Sequence, residues 1–473
     1  MWDNTGMNNV STPVCPIAAT CGGCSCINVP YAQQLANKQQ RITTLFAPLL
    51  TAQGSQPSDV VLPILGMETP QHYRNKIVSP FAPSHAKRSV RSMARTGRAG
   101  RVALRKGDIL TGLYAAGTHK VIACESCPVE HPVGRQVVAA VRDIMARYGV
   151  VPYDEDAGTG FMRHVVVRVG AHSGEVLVTL VTNGREFVGS KNFCRELVKR
   201  VPEITTIVQN INTRQTNVIF GEESQVLYGP GFILDTLCGL SFRISSGSFY
   251  QVNAMQTEVL YRRAIELMAG QGSQENRPSD TPAPTILDAY CGTGTIGLVA
   301  AKAIPQATVV GVDSAESSIA DARQNAAHNG IDNAIFIAQD AGTFMRDYAA
   351  AGRTVDGVFL DPPRTGASED FLKALSALAP ERVVYISCNP ETQVRDCQLL
   401  LESGYRLSVV APVDMFPHTN HVETVVQLSK GNISSQNVRV ELSLEDMDMS
   451  RFQQGATYEQ IQNFGCRKST GSM

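Results

Sequence analysis

The chain has 473 residues, 43% of them hydrophobic, which is enough for two or three domains with cores of their own. The net charge of −1 excludes nothing by itself, because the charge is uneven: from Gln71 to Gly107 there is no acidic residue, while Arg74, Lys76, Lys87, Arg88, Arg91, Arg95, Arg98, Arg101, Arg105 and Lys106 all occur. No apolar run has the length of a membrane span and the N-terminus has no signal-peptide core. The twelve cysteines are therefore expected to serve metal binding or catalysis in a reducing, cytoplasmic setting rather than a disulfide framework.

Residues 1–14 are polar and expected to be disordered. Cys15-x5-Cys21-x2-Cys24 follows, with Cys26 beside it and glycines at 22 and 23 that let the backbone wrap a bound centre. A second pair, Cys124-x2-Cys127, precedes Pro128. This spacing allows a four-cysteine zinc site, or an iron–sulfur cluster held by Cys15, Cys21, Cys24 and one later cysteine. Between the two groups lies the acid-free basic stretch. A solvated loop is the bland reading, and contact with nucleic-acid phosphates is the sharper one.

Arg135 to Tyr148 has helical periodicity. Strands are expected around His164–Val169, Glu175–Val181, Thr205–Asn210 and Val218–Gly221, with a hairpin-type turn at Asn183-Gly184. This predicts a mixed α+β domain over residues 15–244, mainly antiparallel. Asn253 is placed to cap a helix over Ala254–Met268, with Gln256 at the capping-box position. Gln271–Pro284 reads as a linker inside a second domain, residues 245–430, and residues 431–473 as a polar, disordered tail.

The second domain is organised around Thr285–Ala301, a strand that stops at a glycine turn and restarts as a helix. Gly292, Gly294 and Gly297 have G-x-G-x-x-G spacing, and Asp313 follows about 20 residues on, at the end of the next apolar strand. That pattern predicts an adenosine-type cofactor and fits a nicotinamide as well as S-adenosylmethionine. Strands then alternate with helices, predicting a parallel, doubly wound sheet. Asp288, Asp313, Asp340, Asp361 and Cys388 all fall at strand ends and are expected on one rim, where such sheets bind ligands. Ser314 and Ser368 are read as helix caps. Cys388 sits at a helix N-terminus, which favours a thiolate nucleophile, against the bland reading of an inert buried thiol. Asp361-Pro-Pro-Arg364 is a rigid turn, and Glu423 opens an otherwise apolar strand.

Five motifs in this order, Ser248-Phe-Tyr-Gln-Val-Asn253, Leu287-Asp-Ala-Tyr-Cys-Gly-Thr-Gly294, Leu360-Asp-Pro-Pro-Arg364, Ile386-Ser-Cys-Asn-Pro390 and His421-Val-Glu423, resemble the RNA (uracil-5-)-methyltransferase family, nearest to its bacterial iron–sulfur 23S rRNA branch. The resemblance spans about Cys15 to Leu428. It implies a Rossmann-like α/β methyltransferase domain behind a mixed α+β iron–sulfur domain. Cys388 matches the nucleophile that attacks C6 of uracil, and Glu423 the base that removes the C5 proton. Gln251, Tyr290, Thr295, Asp313, Asp340 and Asp361 match the S-adenosylmethionine contacts, although Thr295 and Asp313 depart from the more usual Asn and Glu. Phe249 and Asp361 match positions that face the base. Cys15, Cys21, Cys24 and Cys127 match the ligands of a [4Fe-4S] cluster, which leaves Cys26 and Cys124 as extras. The implied partner is RNA, 23S rRNA ahead of tRNA, and the implied state is a monomer. Many members begin with a small β-barrel RNA-binding domain, for which the residues before Cys15 leave no room. RNA affinity is thus expected from the cluster domain and the basic stretch. A nicotinamide oxidoreductase and a non-catalytic RNA-binding protein are the competing classes.

Overall fold

Apolar runs rich in valine and isoleucine become the strands of two seven-stranded sheets in the computed structural model, which describes residues 12–84, 104–270 and 283–430. The first helix, α1 (Tyr31–Ala52), presents Leu35, Ile42, Phe46 and Leu50 on one face, the three-to-four spacing that buries a helical stripe. The first sheet holds β1 (Lys76–Pro83), β2 (Ile109–Tyr114), β3 (Val121–Ala123), β4 (Met162–Val169), β5 (Val176–Thr182), β6 (Ile204–Ile211) and β7 (Glu223–Tyr228), in the order β3-β2-β1-β4-β5-β6-β7. Only β5 and β6 run parallel; the other neighbours are antiparallel. Helices α2 (Pro132–Tyr148) and α3 (Ser190–Arg200) cover one face, with Val141, Ile144, Phe193 and Leu197 packed on Val165, Val167 and Val178. Two turns fall differently from the sequence reading. Asn183-Gly184 leads from β5 to α3 instead of closing a hairpin, because β5 pairs with β6 in parallel across that helix. Val218–Gly221 is irregular, and the strand begins at Glu223.

A hairpin, β8 (Phe232–Leu237) and β9 (Leu240–Ser245), leads to α4 (Ala254–Ala269), whose Asn253 accepts from the Gln256 N–H as expected. The second sheet holds β10 (Thr285–Ala289), β11 (Thr308–Asp313), β12 (Ala334–Ala338), β13 (Gly357–Leu360), β14 (Arg382–Ser387), β15 (Tyr405–Val413) and β16 (Glu423–Lys430). Their order is β12-β11-β10-β13-β14-β16-β15. The first five run parallel and β16 runs antiparallel between β14 and β15. Between the strands run α5 (Thr295–Ala303), α6 (Glu316–His328), α7 (Ala341–Ala350), α8 (Glu369–Leu378) and α9 (Pro390–Glu402). α4, α5 and α6 pack on one face of the sheet, and α7, α8 and α9 on the other. Ser368 caps α8, but α6 begins after Ala315, whose N–H donates to Asp313; Ser314 is not its cap.

α1 joins α8 and α9 on that second face, its Leu35, Ile42 and Phe46 sharing a core with Val358 and Val426. The segment after it bridges the edge strand β15 at Val61↔Val410 and Leu65↔Val413. Residues 31–67, read from sequence as part of the 15–244 segment, thus pack with the C-terminal sheet, whose edge they cover. Among the described residues no helix is long and apolar enough to cross a membrane. The basic side chains from Lys87 to Arg101, most of the 271–284 linker, residues 1–11 and the 431–473 tail lie outside the described residues, and so do the expectations placed on them.

Candidate active site

The strand order reverses between β10 and β13, and the carboxyl ends of the parallel strands form a crevice there. The turn after β10 needs left-handed backbone at Tyr290 (φ +64°), Gly292 (+53°) and Gly294 (+77°). A Cβ on Gly294 would lie 2.7 Å from the Phe336 ring, so this turn accepts only glycine. Gly297 approaches Asp288 closely enough to donate its N–H at 2.9 Å. Asp288 is expected on the rim, but the structure buries it beneath the turn at 1% exposure, and one of its carboxylate oxygens has no partner. Burial, then the neighbouring Asp361, push its carboxyl well above the usual range.

The other expected cofactor residues are distributed around this turn. Asp313 ends β11 and accepts the Gly292 N–H at 3.0 Å and the Ala315 N–H at 2.8 Å. Asp340 caps α7 through the Thr343 N–H at 2.9 Å, which holds its carboxyl below the usual range. The Tyr290 ring packs 5.1 Å from Phe371, and the Thr295 hydroxyl meets Tyr261 at 2.9 Å. Gln251 precedes α4, and its carbonyl accepts from Asn75 at 3.1 Å. A positive-φ turn at a helix N-terminus, flanked by carboxylates at two strand ends, fits an adenosine-bearing cofactor.

One strand further along, β14 pairs with β16 so that Ser387 faces Thr424. Continuing that register by one residue sets Cys388 opposite Glu423. Leu360 pairs with Tyr385 in β14, so Asp361 leaves its strand alongside them. Cys388 is half-buried and Glu423 is 6% exposed. Burial, then Asp361, raise the Glu423 carboxyl to about 8, and burial raises Asp361 to about 7. The sequence reading gave Cys388 a favoured thiolate from its helix. In the folded chain the thiol is instead pushed up, by burial and then by Glu423, against a hydrogen bond and positive charge from Arg364. The Arg364 carbonyl accepts from Asn389 at 3.0 Å, which ties the Pro-Pro turn to the start of α9. The exposed ring of Phe249 lies in the loop before α4.

The paired cysteines meet on the other side of the chain order. Cys15, Cys21, Cys24 and Cys127 line one cavity of about 60 Å³, and Cys124 lines it with them. Burial, followed by the charges of Cys127, Cys21 and Cys15, raises the Cys24 thiol to about 12. Among the described residues no group of three or more His, Cys, Asp or Glu is arranged as a formed metal site. Cys26 points elsewhere, toward Gln34 at 3.7 Å.

A family model described as tRNA (uracil-5-)-methyltransferase matches residues 237–431. An uncharacterized RNA methyltransferase of Halalkalibacterium halodurans is 37% identical over 418 residues, covering 88% of this chain and 83% of that relative. One from Staphylococcus aureus is 38% identical over 423 residues, covering 89% and 85%. The chain belongs to the RNA (uracil-5-)-methyltransferase family. The crystal structure of Pyrococcus abyssi tRNA (uracil-54, C5)-methyltransferase with S-adenosyl-L-homocysteine has a TM-score of 0.64 and 25% identity, covering 89% of this chain and 88% of that one. This protein is accordingly an S-adenosylmethionine-dependent RNA uracil-5-methyltransferase with the Rossmann-like α/β methyltransferase fold.

The methyltransferase holds its Glu423 loop with residues outside the five motifs. Between β15 and β16, Asp414 receives Lys38 at 2.5 Å and the Tyr31 hydroxyl at 2.8 Å, all three buried. His418, in left-handed backbone (φ +66°), donates its N–H to Gln34 at 2.9 Å, and its ring meets the Gln34 amide at 3.1 Å. The cysteine segment joins in: the Cys26 N–H donates to the His418 carbonyl at 3.0 Å, and Ser25 accepts from the Asn420 N–H at 2.8 Å. Polar residues four apart on α1, Gln34 and Lys38, were the available signal, because they interrupt an apolar face.

Proposed function

We propose that this methyltransferase acts on a uridine of structured RNA through a covalent adduct between Cys388 and C6 of uracil, with Glu423 as the base. The observation that carries the reading is the strand register that sets Cys388 opposite Glu423, beside Asp361 and the glycine turn. Bound S-adenosylmethionine supplies an electrophilic methyl group on a sulfonium. Tyr290, Thr295, Asp313, Asp340 and Asp361, with Gln251, are the residues proposed to hold it. Cys388, once deprotonated, forms a sulfur–carbon bond at C6, and the electrons of the C5–C6 double bond move toward C5 and O4. C5, made nucleophilic in this way, would accept that methyl group as its bond to the sulfonium breaks and the cofactor leaves as the thioether. Glu423 removes the proton left on C5, the double bond re-forms, and Cys388 departs as thiolate. The uridine reaches this half-buried thiol by leaving its stack, and Phe249 offers an exposed ring to receive it.

The donor chemistry of the cysteine cavity supports a metal centre: soft thiols with glycines 22 and 23 between them. The proposed ligands are Cys15, Cys21, Cys24 and Cys127, and the proposed group is a [4Fe-4S] cluster that fastens the N-terminal segment. The acceptor we propose is 23S rRNA, on the strength of that cysteine pattern. A tRNA acceptor is the second reading, favoured by the tRNA (uracil-5-)-methyltransferase family match and by the tRNA activity of the Pyrococcus abyssi enzyme. Anaerobically purified protein, labelled S-adenosylmethionine and unmodified 23S rRNA or tRNA decide between them, with product nucleosides read by mass spectrometry. 5-Methyluridine in the 23S transcript alone is expected. Label only in tRNA would move the acceptor, and label at another base would overturn the mechanism.

A further inference from the structure

The first sheet carries a cavity of about 280 Å³ that no step of methyl transfer uses. Its walls come from the end of β1, from β2 and β3, and from Tyr153–Asp156 with Arg163 and His164. That volume accommodates one nucleotide. Tyr114 and His119 present their rings to it, in front of the buried Phe81 and of Tyr153, whose face the Arg163 guanidinium covers at 4.4 Å from the ring centre. Planar rings of this kind are the usual platform for an unpaired base.

One buried ring nitrogen in the wall lacks a hydrogen-bond partner. His164 is 6% exposed; its Nε2 lies 2.9 Å from the Tyr114 hydroxyl, and its Nδ1 has no partner. Burial, then Arg163, push the ring down to about 4, so it is neutral at pH 7 and has a single N–H. The pair owns two donors, the ring N–H and the phenol O–H, and spends one on the bond between them. Either a buried Nδ1–H is stranded or the Tyr114 O–H is left over at the cavity. Nδ1 is unpartnered in either tautomer, and in either the Tyr114 hydroxyl keeps a hydrogen-bonding site for a ligand: its O–H when the proton is on Nε2, its oxygen lone pairs when it is on Nδ1.

Charges of both signs stand at the mouth: Lys120, and the exposed Glu155 and Asp156. Carboxylates repel a bare phosphate. A nucleotide suits both, giving a phosphate to Lys120 and base N–H groups to the carboxylates.

We propose that this cavity holds one unpaired nucleotide of the RNA substrate, away from the uridine being methylated, with its base against the Tyr114 and His119 rings and the Tyr114 hydroxyl hydrogen-bonded to it. The inference rests on the reading of RNA as substrate. Fluorescence anisotropy with labelled substrate RNA, without S-adenosylmethionine, compares the full chain with Tyr114→Phe and Lys120→Ala across a range of salt. Tyr114→Phe should weaken binding roughly three- to tenfold with the salt dependence unchanged, the loss of one neutral hydrogen bond. Lys120→Ala should weaken it and lower the salt slope by about one. Lys120→Ala should keep its melting temperature, Tyr114→Phe should melt lower because it also takes the partner of the buried His164 Nε2, and both should keep their cofactor affinity. A wild type that methylates RNA, with both variants binding as tightly as it does, overturns this inference alone. A wild type that binds RNA, with the two variants weakened as expected, but transfers no methyl group removes the functional reading and leaves the site standing.

Discussion

Glu423 is a buried acid whose folded-state carboxyl sits near 8 against an ordinary 4.5. As the proposed base it works ionised, so kcat/KM should climb with pH toward about 8; the raised Cys388 thiol acts in the same direction. The same shift has a cost in stability. Below about pH 4.5 the group is protonated in folded and unfolded chains alike. Between about 4.5 and 8 the unfolded chain releases a proton that the folded chain keeps, so stability falls as pH rises through that window. Glu423→Gln removes the penalty. Its gain should reach roughly 2–5 kcal/mol above pH 8 and vanish near pH 4.5, while turnover is lost. Thermal melts of both proteins across this range check it, and a gap that does not change with pH would contradict the buried-charge account. The sequence marked Glu423 as an acid opening an apolar strand, but not its height on the pH scale. That height comes first from burial in the folded sheet and then from Asp361, 62 residues away in the chain and alongside in the sheet.

At the scale of elements, two joints matter: the turn between β10 and α5, and the clasp between α1 and the loop before β16. A Cβ on Gly297 would lie 2.7 Å from the Asp288 carboxylate, which is buried and has nowhere to retreat. Gly297→Ala should therefore tilt α5 off the turn and weaken S-adenosylmethionine binding at least tenfold by calorimetry, as steric insertion into a packed site does. At the clasp, Asp414→Ala strands the Lys38 ammonium and should cost about 3–5 kcal/mol in denaturant unfolding. Gln34→Ala should leave cofactor binding intact and lower kcat, because it frees His418 and with it the approach to Glu423. Unchanged kcat would separate the clasp from catalysis. The glycine turn and the strand–helix alternation were legible because they are local patterns of period and spacing. The clasp was not, because its partners Gln34 and His418 stand 384 residues apart, and only the folded sheet edge brings α1 to β15. The Asn183-Gly184 turn misled for a related reason: a good hairpin dipeptide yields when its strand finds a parallel neighbour.

For the whole molecule, the cysteine segment and the Glu423 loop are joined by two hydrogen bonds, from the Cys26 N–H to the His418 carbonyl and from the Asn420 N–H to the Ser25 hydroxyl. Damage to the cysteine centre should thus be felt at the rim as well as in overall stability. Anaerobic protein should contain about four irons per chain. Cys127→Ala should lose them, while Cys124→Ala should keep them, since Cys124 already donates to the Ser126 carbonyl at 3.4 Å. Iron retained in the first and lost in the second would exchange their roles. Spacing alone could not choose between these two thiols, because both line one cavity and the choice lies in how each Sγ points.

The covalent step is tested most directly by trapping it. Glu423→Gln, mixed with substrate RNA and S-adenosylmethionine, should stop after methyl transfer with the RNA still bonded to Cys388. A denaturing gel followed by mass spectrometry should show a protein–RNA adduct bearing one added methyl group at the Cys388 peptide, absent when Cys388→Ala is added to the same protein. No adduct from Glu423→Gln, or an adduct that survives the loss of Cys388, would contradict the account.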